Sequence, residues 1–116
     1  MPSNEPILLA GTLELLVLRT LVWGPRHGYA IARWIKETSR ETIQVEDRAL
    51  YLALHRLEER GFVSADWALS ENNRRAKYYQ LTRSGRAQLR LKEATFTRYV
   101  EAVFEILRAT ERSATA

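Results

Sequence analysis

The chain contains no cysteine, which excludes a disulfide framework, a thiolate zinc site and a cysteine nucleophile. It has two histidines, His27 and His55, 28 positions apart, and neither an HExxH pair nor a glycine-rich phosphate loop. That inventory offers nothing to assemble into a catalytic centre, and scattered serines such as Ser39 and Ser70 read as turn or cap residues. Neither enzyme activity nor a cofactor is expected. No apolar run approaches the roughly 20 residues needed to cross a bilayer. The opening MPSNEPILLAG has no basic patch ahead of its apolar residues, and Glu5 interrupts it. A secretory leader is therefore not expected, and the expected setting is the cytoplasm without a membrane partner.

What remains is a chain of 116 residues, 46% hydrophobic, with a formal charge of +4. That length and composition fit one unit with a modest core. The charge is unevenly placed. Residues 26–86 hold 12 Lys and Arg against 8 Asp and Glu, while the remainder is neutral. Residues 72–92 hold seven cations (Arg74, Arg75, Lys77, Arg83, Arg86, Arg90 and Lys92) and no acid. Such a one-signed run reads as an anion-facing surface, because a merely solvated face usually mixes both signs.

Residues 46–61, EDRALYLALHRLEERG, organise the rest. On a helix, Leu50, Ala53, Leu54 and Leu57 fall on one buried stripe. Arg48, Tyr51, Leu52, His55 and Glu59 fall on the opposite face. Asp47 reads as the N-cap and Gly61 as the stop. Guanidinium, phenol, imidazole and methyl groups on one exposed face are what a helix in a DNA major groove uses on base edges.

Residues 8–23 read as the first helix, begun by Gly11 or Thr12 and stopped by Gly24-Pro25. Leu13, Leu15, Leu16, Val17, Leu18, Leu21 and Val22 cover most of its circumference, leaving Glu14, Arg19 and Thr20 as its polar positions. A helix apolar nearly all round needs cover on more than one side, and a second subunit would supply it. Residues 27–39 read as the second helix, with Ile31 and Ile35 inward, Arg33, Lys36 and Glu37 outward, and Gly28 leaving room for another element. With residues 47–61 it forms a helix-turn-helix. Residues 62–67 and 76–81 are rich in β-forming residues and flank ALSENNRR, giving a β-hairpin, or wing, with Arg74, Arg75 and Lys77 at its tip. Thr82 then caps a helix reaching about residue 110. Its stripe of Phe96, Tyr99, Val100, Val103, Phe104 and Leu107 outlasts the winged unit and again argues for a symmetric dimer. The final ERSATA reads as a frayed end. The fold class is thus mainly α with a small β-hairpin: a winged helix-turn-helix over residues 8–81 and a C-terminal dimerisation helix over residues 82–112.

The residues Gly11-Thr12-Leu13, His27-Gly28-Tyr29, Leu50-Tyr51, Ala53-Leu54-His55-Arg56-Leu57-Glu58 and Gly61 form a pattern, continued by SENNRRAKYY from Ser70, Leu81-Thr82 and Gly85. On these residues the sequence resembles the PadR family of winged-helix transcriptional regulators, in its smaller branch with a single C-terminal helix. The resemblance implies a homodimer in which the long C-terminal helix packs on the partner's N-terminal helix. It also implies a palindromic operator in double-stranded DNA, bound by a repressor that a small molecule releases. Two positions depart from the pattern. Arg48-Ala49 stands where the family often has Gly followed by Ser or Thr, and Leu52 stands where Pro often follows the Tyr. Both lie at the exposed start of the recognition helix and bear on which operator is read.

The DNA-binding set expected from these readings is Arg48, Tyr51, Leu52, His55, Asn73, Arg74, Arg75 and Lys77. Arg48, Tyr51 and His55 would read bases or adjacent phosphates, and the wing cations would hold the backbone. The expected dimer interface is Leu13, Leu16, Val17, Phe96, Tyr99, Val100, Val103, Phe104 and Leu107. An effector pocket at that interface would be lined by Trp23, Phe96, Tyr99 or Phe104. Duller readings stand beside these. Tyr51 packs on the wing, His55 caps within the protein, Trp67 and Tyr79 serve hairpin packing, and Arg56, Glu58 and Glu59 are solvated charges. The competing function is a winged-helix dimerisation or protein-interaction module without sequence-specific DNA binding, against which the acid-free segment argues.

Overall fold

The computed structural model describes residues 11–111. Its elements run α1 (Thr12–Thr20), β1 (Arg26–His27), α2 (Gly28–Thr38), α3 (Asp47–Glu59), β2 (Val63–Leu69), β3 (Arg75–Leu81) and α4 (Arg83–Arg108). The sheet is antiparallel in the order β1-β3-β2. Four helices and this small sheet give the expected mainly α winged architecture.

Several boundaries shifted for physical reasons. Residues 8–10 of the expected first helix lie outside the described residues, as do residues 112–116 of the expected frayed end. Within the described chain α1 begins after Gly11, whose φ of +83° suits glycine, and ends at Thr20, short of Trp23. Arg26 and His27 pair with Tyr79 and Tyr78 as a strand, which a two-residue segment without periodicity did not announce. His27 therefore precedes α2 instead of belonging to it. Its Nδ1 accepts a hydrogen bond from the Ala30 amide at 3.1 Å, which caps the helix. Asp47 is the first residue of α3, and Glu46 stands at the N-cap without a side-chain cap bond. The expected stop at Gly61 is present. Its φ is +77°, its amide bonds the Glu58 carbonyl, and the Phe62 amide bonds the Leu57 carbonyl, which together form a Schellman closure.

The apolar stripes meet in one core: Val17 and Leu18 of α1 with Leu21 just after it, Ile31 and Ile35 of α2, Leu50, Leu54 and Leu57 of α3, with Val63, Tyr79 and Leu89. The core encloses more of α1 than its composition implied. Val17 is fully buried inside the subunit, so it leaves the set of residues a partner could meet. Glu14 and Thr20, two of the polar positions of this helix, are also buried. Glu14 is compensated by ionic partners. Its carboxylate lies 3.0 Å from Arg56 Nε, 3.6 Å from Arg60 Nη1 and 4.0 Å from Lys92 Nζ. Arg56 keeps about half its side chain in water and also joins α3 to α1.

Helix α4 is seated on the turn before the wing. Thr82 Oγ1 donates to the Gly61 carbonyl at 2.6 Å and accepts from the Gly85 amide at 3.0 Å, while Ser84 Oγ donates to the same carbonyl at 2.9 Å. Gly85 faces the Phe62 carbonyl so closely that a Cβ would sit 1.9 Å from its oxygen. Further along, Phe96, Val100 and Val103 are half-buried, whereas Tyr99, Phe104, Ile106 and Leu107 are exposed.

Two substitutions check this framework by thermal or urea unfolding. Gly85→Ala should destabilise strongly, by about 3 kcal/mol or more, because backbone and not a flexible side chain occupies the space. Glu14→Ala should cost about 1.5–3 kcal/mol, the usual magnitude for hydrogen bonds to charged groups. Wild-type stability in either variant would contradict the packing described.

Candidate nucleic-acid interface

The outer face of α3 follows from its inner one. With Leu50, Ala53, Leu54 and Leu57 in the core, Arg48, Tyr51, Leu52 and His55 are all left exposed. Tyr51 lies over Gly28 of α2. A Cβ at that glycine would come within 3.6 Å of the phenol oxygen, an ordinary contact distance, so the ring rests against α2 without requiring a glycine there. Tyr51 thus lies against α2 beside the wing residues of the same groove, and it keeps more than half its surface open. His55 Nε2 stands 3.5 Å from Glu59 Oε1 one helical turn on.

The wing is longer than its sequence pattern indicated. β2 reaches Leu69 and β3 starts at Arg75, in a register that sets Trp67 opposite Lys77 and Leu69 opposite Arg75. The turn closes through Asn73, whose φ of +59° is one that asparagine tolerates, and through the Ser70 amide bonded to the Arg74 carbonyl at 2.7 Å. Arg74 and Arg75 are exposed at the tip. Lys77 is not at the tip. It lies along β3, where its ammonium donates to Glu58 of α3 at 3.2 Å and rests 5.5 Å from the Tyr79 ring centroid. That hydrogen bond holds the Lys77 pKa above the ordinary lysine value, and burial pushes the Tyr79 phenol up. The acid-free segment is therefore not free of neutralising partners: Glu58, distant in sequence, meets Lys77 of the wing, and Glu14 meets Lys92 of α4. Among the described residues Arg74 and Arg75 form no ion pair, so the wing's open charge is concentrated in them.

Between the wing, α2 and Tyr51 runs a groove of about 650 Å³. Tyr51, Arg74, Arg75 and Lys77 of the expected set border it; Arg48, Leu52 and His55 continue along α3 beyond it. Residues outside that set also border it, among them Tyr29 and Arg33 of α2 and Trp67 of the wing. Tyr29 and Trp67 are exposed although large and aromatic. Alternation along β2 puts Trp67 on the same face as Ala65 and Leu69, and only the tertiary structure shows that it borders the groove.

A second groove, of about 510 Å³, separates α1 from α4 and is lined by Leu15, Leu91, Lys92, Thr95, Phe96 and Tyr99 among others. Of the four aromatics expected around an effector, it brings together Phe96 and Tyr99. Trp23 lies apart from it, 5.5 Å from Trp34, and Phe104 lies under the Arg108 guanidinium. Among the described residues no cluster could hold a metal ion, and no helix is long and apolar enough to cross a membrane.

Comparison with known proteins agrees with this geometry. The model of the transcriptional regulator PadR-like family matches residues 17–91. The structure of a PadR family transcriptional regulator from Eggerthella lenta is 31% identical and superposes with a TM-score of 0.73, covering 86% of this chain and 85% of its own. A PadR family transcription regulator from Clostridium difficile is 26% identical with a TM-score of 0.70, over 85% of this chain and 100% of its own. A transcriptional regulator from Clostridium thermocellum, 23% identical, shares the fold with a TM-score of 0.75 over 82% of this chain and 92% of its own. With the family match spanning α1 to α4, the winged helix in place and a basic groove beside the recognition helix, the chain belongs to the PadR-like family of DNA-binding transcriptional regulators.

Proposed function

We propose that the chain acts as a homodimeric repressor that binds a palindromic operator in double-stranded DNA and is released by a small-molecule effector. One observation carries the reading: Tyr51 on the outer face of α3 and Arg74 and Arg75 of the wing border the same groove. A duplex approaching that side meets the recognition helix and the basic hairpin together. Arg48, Tyr51, Leu52 and His55 then face base edges in the major groove, and Asn73, Arg74 and Arg75 engage the backbone or the adjacent minor groove. Lys77 serves chiefly as a strut from the wing to α3, because Glu58 already holds it.

In this reading residues 8–81 form the DNA-binding unit and residues 82–112 the dimerisation helix. Support for pairing comes from α4, where Tyr99, Phe104 and Leu107 stay exposed beside the half-buried Phe96, Val100 and Val103. Leu13 and Leu16 of α1 are only partly covered and complete the proposed interface. Two α3 helices related by the dimer axis must sit about 34 Å apart, one turn of DNA, to occupy successive major grooves. The effector is placed in the α1–α4 groove at Phe96 and Tyr99, where an apolar wall and the Lys92 ammonium meet.

Selection of bound sequences from random duplex DNA tests the whole reading and should return an inverted repeat with that spacing. Titrated at several salt concentrations, the Arg74→Ala/Arg75→Ala variant should bind every sequence more weakly and flatten the log–log salt slope by about 3.6 per dimer if all four arginines meet phosphates. Arg48→Ala and Tyr51→Ala should instead lower preference for the selected site, by about 1–3 kcal/mol per lost base contact, with little change in that slope. Normal binding by the wing variant would remove the wing from the interface. Sedimentation should give about twice the chain mass, and Leu107→Glu combined with Val103→Glu should shift it toward the monomer; a wild-type monomer at micromolar concentration would sink the dimer.

A further inference from the structure

The groove beside Tyr51 has two rims, and each carries the same unusual construction. On α2 the Arg33 guanidinium carbon lies 5.6 Å from the centroid of the Tyr29 ring. On the wing the Arg75 guanidinium carbon lies 4.9 Å from the centroid of the Trp67 ring. Both rings are open to solvent, Tyr29 at 70% and Trp67 at 58%, so neither serves the core. Neither arginine forms an ion pair among the described residues. Other stacked cations differ: Lys77 is tied to Glu58, and the Arg19–Trp23 and Arg26–Trp34 stacks border neither rim of this groove.

We infer that Arg33 and Arg75 are the two jaws of a clamp for one sugar-phosphate strand of duplex DNA, each held in place by the exposed ring beneath it. The inference rests on the DNA-binding reading and adds to it a site on α2 and a role for the two rings. A guanidinium lying on a ring has one face covered and its N–H edges free. It is weakly hydrated and offers those edges to phosphate oxygens in a fixed fork. The ring restricts a side chain that would otherwise lose much rotamer freedom on binding, so the contact is prepared before DNA arrives. Both jaws line the same groove, where Arg74 and Lys77 add positive charge and Glu71 is the one acid among the described lining residues. Tyr29 and Trp67 are positioning residues in this arrangement, and the arginines make the contact.

Backbone contacts carry no sequence information, so a labelled mixed-sequence duplex at low salt is a sufficient probe for the full chain. Arg33→Ala and Arg75→Ala, each present twice in the dimer, should each weaken binding and each flatten the salt slope by about 1.8. Tyr29→Ala and Trp67→Ala should each weaken binding about two- to fivefold, the worth of an exposed cation–ring contact. In the Arg33→Ala background, Tyr29→Ala should add nothing, and likewise Trp67→Ala in the Arg75→Ala background. Tyr29→Phe and Trp67→Phe should restore most of the affinity, with melting temperatures near wild type throughout. Ring deletions that are silent, or that cost the same whether or not the arginine is present, would overturn the positioning role. An unchanged salt slope in Arg33→Ala would overturn the α2 jaw. If Arg74→Ala weakens binding while Arg33→Ala and Arg75→Ala do nothing, the clamp alone falls. If wild-type protein does not bind the duplex, the DNA-binding reading falls with it.

Discussion

The carboxylate of Glu14 sits on α1 and is shared by cations from two other helices, Arg56 on α3, Arg60 at its C-terminal end and Lys92 on α4. Its side chain is 10% exposed, whereas Arg56 and Arg60 remain about half open to water. A buried carboxylate left alone would be costly, and three surrounding cations offset that cost while fixing where the helices lie relative to one another. The orientation of α3 on the subunit, and with it the direction in which Arg48, Tyr51 and Leu52 point, depends on this junction. So does the start of α4, which leaves the body of the subunit carrying its apolar stripe. A single ionic centre therefore lies between the face proposed to meet DNA and the helix proposed to meet a second subunit.

Charge on the wing is organised by the same logic of pairing. The acid-free segment around the hairpin is long in sequence, but two of its cations are met by carboxylates from elsewhere: Lys77 by Glu58, and Lys92 by Glu14. These pairs fasten the wing to α3 and α4 to α1. The arginines at the tip are left to face solvent, and Arg75 lies against Trp67. The division has a chemical basis. A lysine ammonium makes a compact ion pair, whereas a planar guanidinium can rest on a ring and still present its donors outward.

The sheet and α4 meet at an equally specific point. The Gly61 carbonyl accepts from both Thr82 and Ser84, and Gly85 lets α4 approach the Phe62 carbonyl at a distance no side chain permits. Gly61 ends α3 with a left-handed residue, so the end of the recognition helix, the base of the wing and the start of α4 are tied within a few residues.

Periodicity determined most of the architecture. Leu50, Ala53, Leu54 and Leu57 marked the buried side of α3, and Arg48, Tyr51, Leu52 and His55 the exposed side, because a helix must turn its apolar residues inward. Asn72-Asn73 and the flanking β-forming residues marked the wing. Local pattern could not decide which charges would meet across the fold, since Glu14 and Arg56 are 42 positions apart and Lys77 and Glu58 are 19 apart. Nor could it show that Val17 would be sealed inside one subunit, that Arg26 and His27 would become a strand, or that Tyr29, Arg33 and Trp67 would border one groove with Tyr51. Those facts depend on distances between segments remote in sequence, which are set only when packing, strand register and ion pairing are satisfied together.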